Sequence, residues 1–247
     1  MIWDVILSGE NTGKFNMDFD LELAKSFPQN PALRLYRWKP YCISLGANQR
    51  IDEVNISKAL TDNIDVVKRP TGGRAILHSE ELTYSVVFPL DLNYSARAIY
   101  NEINLALREG LIFYDSLLSQ LELEHNQVDF KNFYKEDKSA ICFAVSSKSE
   151  INFNNKKLVG SAQRKIGKVI LQHGSILCGD YHLRITEYLN FDDEKKREIK
   201  NEIAETTIDL RSILKKEINY EYLSECLIQG FKKHFNADVD IKEFSLQ

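Results

Sequence analysis

The sequence predicts an α+β protein with a mixed, largely antiparallel sheet and flanking helices. Three observations carry this. Strand-like runs follow one another instead of alternating with helices. One long helical period spans residues 95–122, and three strand-like runs form a meander between 149 and 177. Consecutive strands with helices set apart mark α+β architecture, not a doubly wound parallel sheet.

In chain order, Trp3–Ser8 reads as a strand. Asn16 reads as a helix N-cap, with Asp18 and Asp20 at the positive end and Met17, Leu21 and Ala24 on one face. Pro28 ends that helix. Leu33–Trp38 and Cys42–Leu45 are strands, joined by a turn at Lys39-Pro40. Asp65–Lys68 leads into a loop, Arg69-Pro70-Thr71-Gly72-Gly73-Arg74, and the chain returns through Ala75–Leu77. Leu82–Phe88 alternates and is rich in strand formers. Ile99, Ile103, Leu107, Leu111 and Tyr114 recur at helical spacing. Ser149–Phe153, Lys157–Gln163 and Val169–Leu177 make the meander, turning at Asn154-Asn155 and Ile166-Gly167. From about residue 194 the pattern is helical and strongly charged.

Composition narrows the function classes. A chain of 247 residues with 43% hydrophobic and 28% charged residues suits one globular domain. No run approaches the roughly 20 apolar residues of a membrane helix, and Met1-Ile2-Trp3-Asp4 lacks the layout of a secretory signal. Cys42, Cys142, Cys178 and Cys226 are scattered without metal-ligand spacing, so no metal is expected, and free thiols in a reducing cytoplasm are the expectation. The net charge of −4 argues against a general nucleic-acid binder. Residues 131–168 nevertheless carry nine Lys/Arg against three acids, a local +6. That suits an acidic partner such as a carrier protein, or equally a solvated hairpin face.

Four stretches can carry chemistry. In Arg69–His78 the adjacent Gly72 and Gly73 let backbone approach a ligand, and Arg69 and Arg74 are placed to bracket an anion or carbonyl. The same residues also fit a plain glycine hairpin. Lys157 enters a strand that becomes small at Gly160-Ser161-Ala162, which suits a fixed positive charge aimed at a carbonyl oxygen. His173 interrupts an apolar strand just before Gly174, as a base or, more often at such places, as a hydrogen-bonded structural residue. Cys142 sits among small and apolar residues near basic ones. It is inert packing or, beside a lysine, a thiolate for covalent acyl transfer.

Taken together, Trp3…Ser8-Gly9…Asn16-Met17, Leu33–Trp38, Ser44-Leu45-Gly46, Arg69–His78, Lys157–Gln163 and His173-Gly174 resemble the biotin/lipoate protein ligase and octanoyltransferase superfamily, over residues 2–180. The resemblance implies one catalytic domain over 1–247, related to the class II synthetase core, with a helical part at about 190–235. It is strongest to the cysteine-dependent octanoyltransferases. Cys142 falls where they carry their nucleophile, and the loop reads Gly-Gly-Arg where ligases tend to read Gly-Gly-Gly. One departure is present: their Pro-Ser-x-Tyr-Glu-Leu segment is here Ser146–Ile151.

The resemblance implies Cys142 and Lys157 as the catalytic pair. Arg69, Gly72, Gly73, Arg74, His78, Gly160, Ser161, Ala162, His173 and Gly174 would line the substrate site, and an acyl tunnel would run near Leu77 and Val159. The implied donor is octanoyl-acyl carrier protein, and the acceptor a lysine of a lipoyl domain such as the glycine-cleavage H protein. A monomer without cofactor is the expectation. The alternatives are a lipoate ligase using ATP and Mg, an amidotransferase between lipoyl domains, and a non-catalytic carrier-binding protein.

Overall fold

The computed structural model describes residues 1–90, 94–123 and 150–242. Eight strands form the large sheet in the order β11-β1-β2-β6-β10-β9-β8-β7. In chain order they are β1 (Ile2–Asn11), β2 (Ala32–Trp38), β6 (Glu81–Pro89), β7 (Glu122–Leu123), β8 (Ile151–Phe153), β9 (Lys156–Ile166), β10 (Val169–Leu177) and β11 (Asp238–Lys242). Strand β1 runs parallel to both β2 and β11, and every other pairing is antiparallel. A second sheet sets β3 (Cys42–Leu45) between β4 (Asp65–Lys68) and β5 (Ile76–His78).

Alternation along β6 explains how the large sheet serves two purposes. Leu82, Tyr84, Val86 and Phe88 belong to the main core with residues of the helices α3 (Ala96–Tyr114) and α6 (Tyr220–His234). Thr83 and Ser85 alternate with them and are equally buried. Side chains at successive strand positions point to opposite faces, so a row of small polar groups lies opposite the helix-covered face. Helices α3 and α6 meet at glycines: a Cβ on Gly230 would lie 2.4 Å from Gly110 N. Helices α4 (Asp193–Thr206) and α5 (Leu210–Leu214) complete the C-terminal part, and α2 (Ile56–Thr61) precedes β4. Ile199 and Ile203 of α4 join a second core beneath the small sheet.

Three expectations need correction. Helix α1 (Gly13–Lys25) is capped by Thr12, whose hydroxyl accepts from Phe15 N, while Asn16 is buried inside the helix. The long helix stops at Tyr114 and not near 122. Asp115 leaves helical geometry, and its carboxylate accepts from Leu117 N in a separate 3₁₀ turn. Strand β11 was not legible as a strand: three of its five residues are charged and it forms a sheet edge, where no apolar alternation is required.

Candidate active site

One row of paired residues crosses four strands: Tyr36 of β2, Thr83 of β6, Ser175 of β10 and Gly160 of β9. All four line a single cleft. Three strand spacings make this floor about 14 Å long. It rises at one end into Tyr36, Trp38 and Met17, with Ile76 above, and at the other reaches Lys157 and Glu150. Small residues in the middle and bulky apolar ones at one end make a trough suited to an extended aliphatic chain.

Lys157 is 1% exposed, and its Nζ lies 2.9 Å from Glu150 Oε2. Its backbone is fixed on both sides, by pairing with Asn152 and by Ile208 N donating to its carbonyl. A cation thus projects into a mostly apolar cleft from the start of a strand, as the sequence predicts. Glu150 was not assigned a role from sequence. The signal was present, since it keeps the acidic position of the segment whose Pro and Tyr are missing.

Two histidines line the cleft, and both are locked. His78 Nε2 is 2.7 Å from Ser44 Oγ, and its Nδ1 is 2.8 Å from Glu81 Oε1. Thr83 and Ser175 donate to the same carboxylate oxygen. The His78 ring stacks on Trp38 at 4.0 Å, and Trp38 Nε1 donates to Thr83. His173 Nε2 is 2.6 Å from Thr71 Oγ1, and its Nδ1 faces Asp20 Oδ2 at 3.4 Å. Burial pushes the His173 pKa below its usual value against the pull of Asp20. With both ring nitrogens engaged, the structural alternative for His173 is the one the geometry supports.

Asp20 is itself fully buried. Burial alone would raise its pKa, but the hydrogen bond from His173 and the Arg34 guanidinium 2.8 Å away outweigh that and hold it low. Arg34 also donates to Ser8 Oγ, Asn16 O and Asn16 Oδ1, and its guanidinium lies 4.0 Å from the centre of the Tyr36 ring. Tyr36 donates to Asp20, so this network holds the aromatic end of the cleft.

The glycine loop behaves differently from expectation. Arg69 lines the cleft, but its guanidinium donates to Gly72 O, Arg74 O, Ser44 O and Ser44 Oγ. Arg74 instead faces Glu53 at 3.6 Å. Of the two arginines, Arg69 staples the loop from within while lining the cleft, and Arg74 lies outside the cleft lining. Gly73 has φ 96°, and its carbonyl oxygen would lie 1.9 Å from a Cβ at Gly46, so its neighbour demands the close approach. Gly72 faces open space, and neither glycine lines the cleft.

Lys157, Arg69, His78, Gly160, Ser161, Ala162, His173 and Gly174 are brought together, while Gly72, Gly73 and Arg74 are not among the lining residues. Leu77 and Val159 belong to the cores, so the apolar walls are Met17, Tyr36, Trp38 and Ile76 instead. Gly174 is required by packing, since its Cβ would lie 2.4 Å from Gly160 O and 2.7 Å from the Tyr84 ring. Cys142 lies outside the described residues. Among the described residues, no cluster of His, Cys, Asp or Glu could hold a metal ion, and no helix is long and apolar enough to cross a membrane.

Residues 12–232 match the lipoyl protein ligase A/B catalytic domain. The chain belongs to that family. Its relatives in the family include octanoyltransferase LipM of Clostridioides difficile (strain 630), 32% identical over 96% of this chain and 88% of the relative. Octanoyltransferase LipM of Lysinibacillus sphaericus (strain C3-41) is 30% identical, over 99% and 90%. Solved structures of low sequence identity share the fold. A bipartite lipoate protein ligase from Thermoplasma acidophilum superposes with a TM-score of 0.75 at 19% identity, over 99% of this chain and 88% of that one. A lipoate-protein ligase A bound with ATP superposes at 0.74 and 20% identity, over 99% and 90%. The fold of the chain is that of these lipoate ligases, the α+β architecture predicted above.

The residues missed from sequence are Met17, Tyr36, Trp38, Thr83, Glu150 and Ser175. For the supporting Asp20–Arg34 pair a signal existed: Asn16 and Asp20 share the buried face of α1, and Arg34 sits between Leu33 and Leu35 in a largely apolar strand. Polar groups at such positions require buried partners.

Proposed function

We propose that this protein is an octanoyltransferase of protein lipoylation, moving an octanoyl group from acyl carrier protein through a Cys142 thioester to a lysine of a lipoyl domain such as the glycine-cleavage H protein. The observation that carries the reading is Lys157, a buried cation at one end of an apolar-walled trough. The relatives that match nearly the whole chain at about 30% identity and bear the name octanoyltransferase add support. Elimination supports the choice of cysteine. Cys42, Cys178 and Cys226 are buried and outside the cleft lining, and burial raises each thiol, that of Cys178 to about 12. None of these three is suited to act as a thiolate near neutral pH.

In the first half-reaction the Cys142 thiolate attacks the donor thioester carbon, and the carrier thiolate leaves and takes up a proton. Lys157 offers positive charge to the developing oxyanion. In the second, the neutral amine of the acceptor lysine attacks the enzyme thioester, loses a proton as the amide forms, and releases Cys142. No ATP is consumed, because the thioester already carries the activated acyl group. This reading places the reaction in the cytoplasm, a reducing compartment that suits a free reactive thiol. The test is transfer of octanoate from octanoyl-acyl carrier protein to an apo lipoyl domain, with and without ATP. Equal transfer in both supports the reading. Modification only from free lipoate plus ATP overturns it in favour of a ligase.

A further inference from the structure

Two segments that supply lining residues of the cleft are charged with one sign. Residues 66–78 contain Lys68, Arg69 and Arg74, and residues 156–179 contain Lys156, Lys157, Arg164, Lys165 and Lys168; neither segment has an Asp or Glu. This occurs in a chain of net charge −4. Arg69, Arg74 and Lys157 are held as described above, and Lys156 donates to Ala204 O. Lys68, Arg164, Lys165 and Lys168 are exposed and have no carboxylate within ion-pair distance among the described residues. Arg164 donates to Pro70 O at 2.7 Å, which ties strand β9 to the glycine loop two residues after the exposed Lys68.

An apolar feature adjoins the cations. Phe27 is 49% exposed and holds φ 48°, a left-handed conformation that bulky residues rarely adopt. Its ring packs on Gly167 at the tip of the β9–β10 hairpin, where a Cβ would lie 2.7 Å from it. An exposed aromatic beside unpaired cations has the composition of a docking surface.

We infer that this rim, formed by Lys68, Lys168 and Phe27 around Arg164, is the docking surface for the acidic carrier that donates the acyl group. The inference rests on the transfer reading above. The donor and not the acceptor is assigned for an electrostatic reason. The reactive group of the acceptor arrives as a lysine ammonium, which a rim of unpaired cations repels. The donor presents a neutral thioester on an arm joined to its carrier through an anionic phosphodiester, which the same rim attracts.

The test is the variant Lys68→Glu/Lys168→Glu, neither of whose positions lines the cleft, with thermal melting as a check on folding. Binding of octanoyl-acyl carrier protein is measured against salt, and transfer kinetics with that donor and with octanoyl-pantetheine, which has neither carrier nor phosphate. Charge reversal at a steering rim is expected to cut kcat/KM for the carrier donor by about tenfold or more at low salt. It should also flatten the salt dependence and leave octanoyl-pantetheine unaffected. Equal loss with both donors, unchanged carrier binding, or weakened binding of the apo lipoyl domain in place of the donor overturns the inference. If wild type transfers from neither donor yet binds the carrier with the same charge dependence, the transfer reading falls and the surface stands.

Discussion

Replacing Lys157 by Met separates what the buried pair does for stability from what it does for chemistry. The Nζ–Oε2 distance of 2.9 Å corresponds to an attraction of about 6 kcal/mol at an effective dielectric of 20. Desolvation of two side chains that are 2% and 5% exposed offsets most of that gain. The pair therefore adds little net stability, yet losing one member leaves a charge buried without its counter-ion, at a cost of about 3–5 kcal/mol. Lys157→Met alone should destabilise by that amount. Adding Glu150→Leu should restore most of the stability while leaving transfer activity abolished. Urea denaturation of both single variants and the double variant gives the coupling directly, and octanoyl transfer gives the activity. A loss below about 1 kcal/mol for Lys157→Met would refute the buried-pair argument. Near-normal transfer by the double variant would refute the catalytic role.

Three more predictions follow from the same geometry. Met17→Ala lengthens the trough at its apolar end, so preference should move from octanoyl toward decanoyl donors by about fourfold per added methylene, from about 0.8 kcal/mol per buried CH₂; a competition assay with six- to twelve-carbon donors reads this, and an unchanged profile contradicts it. Gly174→Ala places a Cβ 2.4 Å from Gly160 O, so the floor must shift, with about 1–3 kcal/mol lost in denaturation and reduced transfer. Stability should also fall below pH 6.5. His173 and His182 both have pKa values below the ordinary 6.5, chiefly through burial, so the unfolded chain takes up protons first as the pH drops. The stabilisation is complete above 6.5 and is lost as pH falls toward the folded-state values. Melting temperature at pH 5.5 should lie below that at 7.5, and His173→Gln should shrink the difference.

Sheet strands and the charged centre were legible because each leaves a local trace. Leu82–Phe88 alternates, the meander is bounded by turn residues, and Lys157 precedes a run of small residues. The apolar end of the trough was not legible. Met17, Tyr36 and Trp38 come together only through α1 packing on the sheet, and nothing along the chain separates an aromatic that walls a cleft from one in a core. The same ambiguity sent the predicted tunnel to Leu77 and Val159, which are core residues. The placement of the two arginines was illegible for a different reason. Arg69 and Arg74 flank adjacent glycines as a ligand clamp would, but a tight loop also needs its carbonyls satisfied, and Arg69 meets that need. Asn16 was misplaced because a short polar residue at a helix start looks like a cap, whereas here it binds Arg34 from inside the helix.

The covalent intermediate is the central claim, and intact-protein mass tests it most directly. Wild type and Cys142→Ala are mixed with octanoyl-acyl carrier protein in the absence of ATP. The account predicts one octanoyl adduct on wild type, removed by hydroxylamine, and none on the variant. An adduct that persists in Cys142→Ala, or transfer to the lipoyl domain at the wild-type rate by that variant, would contradict it.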